Sequence, residues 1–193
     1  MTRTEPPVSS RAYLTPANGM TVLRMLVTPV MLLLITNQQT AAVTCALWFL
    51  LCSTDFIDGV LARRYGITSS GAFLDPLADK LLVLGAMTVL VVENYFALIP
   101  VVIIAIREVG MSVYRSLAGT KGVSIPARKS AKVKTFLQQL SVGFALTPWV
   151  GVHQPWISRV LLGVATVLTV TTGLQYFHDA RLRRSTYLGR HRA

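Results

Sequence analysis

Charged residues are scarce in this chain, and acidic residues are the scarcest of them. Only 14% of the 193 residues are charged, and eight Asp and Glu stand against nineteen Lys and Arg. Hydrophobic residues make up 52% and the mean hydropathy is +0.54, more apolar surface than a soluble domain of this size can bury. We therefore expect a membrane protein and no nucleic-acid partner. The net charge of +11 favours anionic lipid headgroups and phosphorylated substrates.

Cysteine is nearly absent, which excludes a disulfide framework or a thiolate metal site. The two cysteines, Cys45 and Cys52, lie seven residues apart within one apolar segment. We interpret both as packing residues.

Six apolar segments predict an all-α polytopic membrane protein with six transmembrane helices. Each approaches the ~20 residues that a helix needs to cross a bilayer, where the backbone must satisfy its own hydrogen bonds. We expect an N-terminal cytoplasmic segment at 1–17, the transmembrane catalytic domain at 18–178, and a basic, solvated tail without regular structure at 179–193. The segments are Gly19–Thr36, Ala41–Ala62, Phe73–Val92, Phe96–Tyr114, Phe136–Val152 and Trp156–Phe177.

The basic residues predict the orientation of the chain. Three connectors, "NQQT", "VENY" and "VHQP", contain no Lys or Arg, whereas the opposite ends of the segments are basic. The positive-inside rule then places both termini on the cytoplasmic side. Arg159 departs from this pattern, and we expect its side chain to extend toward the outer surface.

Half of the acidic residues lie in one short stretch, "STDFIDGVLARRYGITSSGAFLDPLADK" at 53–80. Asp55 and Asp58 are three residues apart, and Asp75 and Asp79 four, so each pair shares a face of a helix. Pro76 suits the first turn of the helix that carries the second pair. Four carboxylates at a membrane edge repel one another unless divalent cations bind between them, and oxygen ligands favour Mg²⁺, Mn²⁺ or Ca²⁺. We predict that two ions bind here and hold a phosphoryl group.

Small residues and one arginine accompany these carboxylates. Gly59, Ala62 and Gly71 would let a sugar-phosphate approach the backbone closely, and Arg63 is placed to meet a phosphate. The alternative for the small residues is that they only permit close helix packing.

The stretch resembles the signature of the CDP-alcohol phosphotransferase family. The matching pattern is Asp-x2-Asp-Gly-x2-Ala-Arg followed by Gly-x3-Asp-x3-Asp, carried by Asp55, Asp58, Gly59, Ala62, Arg63, Gly71, Asp75 and Asp79. The resemblance implies that the first three aspartates bind two divalent cations and that Asp79 is both a ligand and the general base. It implies a displacement at phosphorus, in which an alcohol attacks a CDP-lipid and CMP leaves. It also suggests a homodimer.

Cations further along the chain indicate an acceptor that carries a phosphate. Arg107 and Arg115 are eight residues apart, hence on nearly one face of the fourth segment, and Lys134 lies just before the fifth. Arginine in an apolar segment is costly unless it faces a pocket or a partner. The alternative for Arg107 is an ion pair with a neighbour such as Glu108.

Shorter pieces resemble the phosphatidylglycerophosphate synthases of that family, which bacteria carry. These pieces are "NGMTVLR", "IREV" and "KVKT", although Ala131 stands where glycine is expected. The implied reaction, in the bacterial inner membrane facing the cytoplasm, transfers a phosphatidyl group from CDP-diacylglycerol to glycerol 3-phosphate. A cardiolipin synthase or a phosphatidylinositol phosphate synthase shares the aspartate pattern and stays open. A divalent-cation transporter is the alternative outside the enzymes.

Overall fold

The computed structural model describes residues 16–65, 69–120 and 129–190, and every element in these ranges is helical. A 3₁₀ turn at Gln38–Thr40 joins the first two of the seven α-helices in these ranges. The helices are α1 Pro16–Ile35, α2 Ala41–Tyr65, α3 Ser69–Val92, α4 Leu98–Thr120, α5 Lys129–Leu146, α6 Pro148–His153 and α7 Pro155–Arg190.

The fifth predicted segment is two helices rather than one. The helix α5 ends at Leu146, Thr147 is extended with φ −68° and ψ 121°, and α6 begins at Pro148. Proline disfavours the helical conformation in the residue before it and cannot donate a backbone hydrogen bond, so the helix breaks at this point. Three of the other predicted segments each lie within one helix, Gly19–Thr36 extends one residue past the end of α1, and Phe96–Tyr114 overlaps most of α4.

The expectation that Pro76 occupies a first turn is wrong. The helix α3 begins at Ser69, so Pro76 lies in its interior, seven residues after the start. A proline there removes one backbone hydrogen bond of the helix. The sequence suggested a later start because the residues before Phe73 are small and polar.

The tail also differs from the expectation. The helix α7 continues through Arg190, so residues 179–190 are helical rather than irregular. The segment "DARLRRSTYL" contains neither proline nor glycine and is rich in good helix formers, so the helix of the last apolar segment propagates into it.

The helices pack around one apolar core. The helix α1 packs against both α2 and α3, and α5 packs most extensively against α7. Fully buried side chains from several helices meet in this core, including Met31, Leu82 and Val142. Trp48 of α2 is buried and donates its Nε1–H to the backbone carbonyl of Gln139 at 3.2 Å, which ties α2 to α5.

Much of the outer surface is apolar as well. Leu33, Ile99 and Ile106 are each at least 70% exposed, and they lie on α1 and α4. Within the described ranges, Pro155–Gln175 of α7 is long and apolar enough to cross a bilayer, and Gly19–Ile35 and Ala41–Thr54 are shorter apolar stretches. Exposed apolar faces on all-helical elements are typical of a protein whose surface meets lipid.

Arg159 fastens the connection between α3 and α4 onto α7. Asn94 follows α3 with φ 61°, a conformation that asparagine tolerates better than most residues, and the Tyr95 amide bonds back to the Leu90 carbonyl at 2.9 Å. This turn points two carbonyls outward. The Arg159 Nε–H donates to the Tyr95 carbonyl at 3.0 Å, and Nη2 lies 3.5 Å from the Asn94 carbonyl. The charge predicted to extend outward therefore has these carbonyl partners.

Replacing Arg159 by Met is expected to lower the free energy of unfolding by about 1–2 kcal/mol, because a charged donor to two carbonyls is lost. Thermal unfolding of the detergent-solubilised protein measures this change. Lys132→Met is the matched control, since Lys132 is an exposed cation on α5. Equal loss of stability in both variants would contradict a role specific to Arg159.

Candidate active site

Asp79 lies on α3 beside a buried arginine of α1. The Arg24 guanidinium is 1% exposed, and its Nη1 approaches Asp79 Oδ1 at 3.4 Å. The Asp79 side chain keeps 33% of its surface exposed, so this carboxylate remains accessible beside Arg24. Thr28, one turn along α1, donates its hydroxyl to the Arg24 carbonyl at 2.7 Å.

Asp79 lines a polar cavity of about 120 Å³ between α3, α4 and α5. The cavity contains two carboxylates, those of Asp79 and Glu108, together with the amide of Gln138. Its full lining is Pro76, Asp79, Lys80, Val83, Leu84, Glu108, Thr135 and Gln138. A polar cavity of this size has room for several water molecules, and hence for a small polyol.

Two of the predicted acceptor-binding cations meet at Glu108. Arg107 Nη1 lies 3.3 Å from Glu108 Oε1, and the buried Lys134 ammonium donates to the same oxygen. The alternative considered for Arg107, an ion pair with Glu108, is therefore observed. Arg107 also reaches α7, where its Nη2 donates to Thr172 Oγ1 at 3.3 Å. Neither cation is among the residues that line the cavity, and their contact with an acceptor phosphate stays a prediction.

The wall of the cavity is held to α7 by a second polar contact. Gln138 is 2% exposed, and its Nε2 donates to Thr169 Oγ1 at 3.3 Å. A buried amide with a hydroxyl partner keeps a fixed orientation, because losing the bond would leave a desolvated polar group. The polar contacts of α4 and α5 with α7 thus fix one side of the cavity.

The structure places the remaining predicted residues on helices without describing their side chains. Asp55, Asp58, Gly59, Ala62 and Arg63 lie on α2. Gly71 and Asp75 lie on α3, and Arg115 lies on α4. Their side chains lie outside the described part of the structure. Among the side chains that are described, no group of three or more His, Cys, Asp or Glu could hold a metal ion.

Sequence reasoning missed two polar residues of this region as site residues. Arg24 was noticed only as part of a short motif, although an arginine within an apolar segment is itself a signal of a functional partner. Lys80 follows Asp79 directly, lines the cavity, and donates to the hydroxyl of Ser112 on α4. Its position beside the aspartate pattern was the available signal.

In the described ranges, helices with exposed apolar faces and an accessible carboxylate at a cavity between them are the features of a membrane-associated enzyme. Residues 14–171 match the CDP-alcohol phosphatidyltransferase family, and the chain belongs to that family.

The chain is also similar to individual proteins whose names state an activity. The chain is 37% identical over 167 residues to the CDP-diacylglycerol–glycerol-3-phosphate 3-phosphatidyltransferase of Rickettsia typhi, covering 83% of this chain and 93% of the relative. It is 37% identical over 167 residues to a probable phosphatidylglycerophosphate synthase of Mycobacterium tuberculosis, covering 83% and 78%. It is 36% identical over 137 residues to the CDP-diacylglycerol–glycerol-3-phosphate 3-phosphatidyltransferase of Bacillus subtilis, covering 68% of this chain and 70% of the relative.

Proposed function

We propose that the protein transfers a phosphatidyl group from CDP-diacylglycerol to glycerol 3-phosphate, releasing CMP and phosphatidylglycerophosphate. The observation that carries this proposal is the accessible Asp79 carboxylate at a polar cavity, in a chain of the CDP-alcohol phosphatidyltransferase family. The names of the similar Rickettsia and Mycobacterium proteins support glycerol 3-phosphate as the acceptor. Family membership favours a transferase over the cation transporter.

The chain crosses the bacterial inner membrane six times in this proposal, with α5 and α6 forming one crossing together. The exposed apolar faces of the helices support contact with lipid. Trp149 and Trp156 are 64% and 60% exposed beside the α6–α7 connection, where tryptophans of a membrane protein meet the outer interface. The basic ends of the segments support a cytoplasmic position for both termini and the active site. The homodimer suggested by the family resemblance stays a prediction.

Two Mg²⁺ or Mn²⁺ ions are the proposed cofactors. The donor set fits them, because Asp55, Asp58, Asp75 and Asp79 offer only carboxylate oxygens and Asp79 is accessible at the cavity. When bound, such ions would neutralise the diphosphate of the CDP-lipid.

Asp79 acts as the general base in the proposed mechanism. Its carboxylate takes the proton of the acceptor hydroxyl as that oxygen forms a bond to phosphorus, and the bond from phosphorus to CMP breaks. Arg24 holds the carboxylate in position through their ion pair. Gly59, Ala62, Arg63 and Gly71 would bind the CDP-lipid, and Arg107, Arg115 and Lys134 the acceptor phosphate.

An acceptor assay tests the proposal. The purified protein in detergent or vesicles receives CDP-diacylglycerol with glycerol 3-phosphate, phosphatidylglycerol or an inositol phosphate, and CMP release is measured. We expect CMP release with glycerol 3-phosphate, loss of activity after chelation, and recovery with Mg²⁺ or Mn²⁺. Release with another acceptor alone would instead assign a cardiolipin synthase or a phosphatidylinositol phosphate synthase.

A further inference from the structure

The two oxygens of the Glu108 carboxylate differ in their contacts with the described residues. Both the Arg107 guanidinium and the Lys134 ammonium contact Oε1. Within the described ranges, no residue donates a hydrogen bond to Oε2. Glu108 lines the same cavity as Asp79 and is 16% exposed, so part of this carboxylate reaches the cavity.

The two cations determine which groups this carboxylate can bind. An ionised carboxylate beside these two basic side chains only accepts hydrogen bonds. A ligand group that meets Oε2 is therefore a hydrogen-bond donor or a cation. In an acceptor such as glycerol 3-phosphate the only donors at neutral pH are its hydroxyl groups, apart from any proton on the phosphate.

We propose that Glu108 accepts a hydrogen bond from the acceptor hydroxyl that does not attack phosphorus, and so determines specificity for a polyol phosphate. This inference rests on the proposed function and extends it. The cavity then holds two hydroxyls of one acceptor: Asp79 takes the proton of the attacking hydroxyl, and Glu108 binds its neighbour. An ammonium has three donors and a guanidinium five, so contact with Glu108 does not use all the donors of Lys134 or Arg107.

This arrangement favours an acceptor that carries a second hydroxyl group. An acceptor without the second hydroxyl leaves a carboxylate oxygen desolvated and without a donor, which is costly in a partly buried site. A site built to bind a hydroxyl therefore discriminates strongly against the analogue that lacks it.

The test compares sn-glycerol 3-phosphate with 3-hydroxypropyl phosphate, which keeps the phosphate and the terminal hydroxyl but lacks the middle one. For the unaltered protein we expect kcat/KM to be at least about tenfold lower with the analogue, the effect of one hydrogen bond to a charged group. In Glu108→Ala the activity with glycerol 3-phosphate falls, and the gap between the two acceptors closes to within about threefold. Glu108→Gln keeps a weaker acceptor oxygen and gives an intermediate gap.

A matched variant and the possible outcomes keep this inference separate from the proposed function. Glu93→Gln removes a carboxylate at the far end of α3 and should preserve the gap. No CMP release from the unaltered protein with glycerol 3-phosphate would overturn the proposed function itself. CMP release with equal efficiency for both acceptors, or an unchanged gap in the Glu108 variants, would overturn only the role of Glu108. If Glu108→Ala does not fold, the nearly isosteric Glu108→Gln decides the matter.

Discussion

Asp79→Asn is expected to lower the rate of CMP release by about a thousandfold, within the range that a positioned general base contributes. Asparagine has nearly the same shape, and its carbonyl oxygen can still face Arg24, but it cannot take a proton at neutral pH. The measurement is kcat at saturating CDP-diacylglycerol and glycerol 3-phosphate. Binding of CDP-diacylglycerol and thermal unfolding are followed beside it, and both should change little.

The control for Asp79→Asn is Glu93→Gln, which makes the same change of charge and a similar change of shape directly after the end of α3. It should leave kcat unaltered. If Asp79→Asn keeps kcat within tenfold of the unaltered protein, Asp79 is not the base. A loss that high Mg²⁺ restores would assign Asp79 to ion binding alone.

The helical architecture was largely predictable from the sequence. Long apolar runs separated by polar connectors locate the apolar part of each helix, because a backbone among apolar surroundings must satisfy its own hydrogen bonds. They do not locate the helix ends, since α5 begins at Lys129, before its predicted segment, and α7 continues to Arg190, past its predicted segment. Hydropathy alone cannot locate breaks within such a run. The helix is interrupted at Thr147 because Pro148 disfavours the helical conformation in the residue before it. The mainly apolar stretch "FLQQLSVGFALTPWV" led to the prediction of one continuous helix across this point.

The sequence predicted several residues of the site, but it did not predict which of them contact each other. The spacing of the aspartates indicated Asp79, and the position of Arg107 indicated a polar partner. The pairing of Arg24 with Asp79 joins residues 55 positions apart, and that of Lys134 with Glu108 joins residues 26 apart. Such pairs depend on how helices pack against each other, which a periodic pattern within one helix does not determine. Only the cost of burying Arg24 signalled that it must have a partner.

Arg24→Met is expected to lower kcat by about ten- to a hundredfold, because a carboxylate displaced by an ångström or so loses much of its effect on the reaction. Methionine fills much of the buried volume without offering a charge to Asp79. The carboxylate, being 33% exposed, can then turn toward water. The Michaelis constants of both substrates should change little, since in this account Arg24 acts through Asp79. Thr28→Val is the matched control, since it alters a buried polar group one turn along α1 without touching the ion pair.

The combination of Arg24→Met with Asp79→Asn distinguishes positioning from other roles of Arg24. If Arg24 acts through Asp79, the double variant is no slower than Asp79→Asn alone, because the first change has nothing left to misplace. Additive losses would mean that Arg24 contributes independently. A raised Michaelis constant with kcat unchanged would indicate that Arg24 binds a substrate phosphate. A lower unfolding temperature with full activity in the folded protein would mean that Arg24 only stabilises the fold, since Arg24→Met leaves the Asp79 carboxylate without its cation and removes a buried, packed side chain.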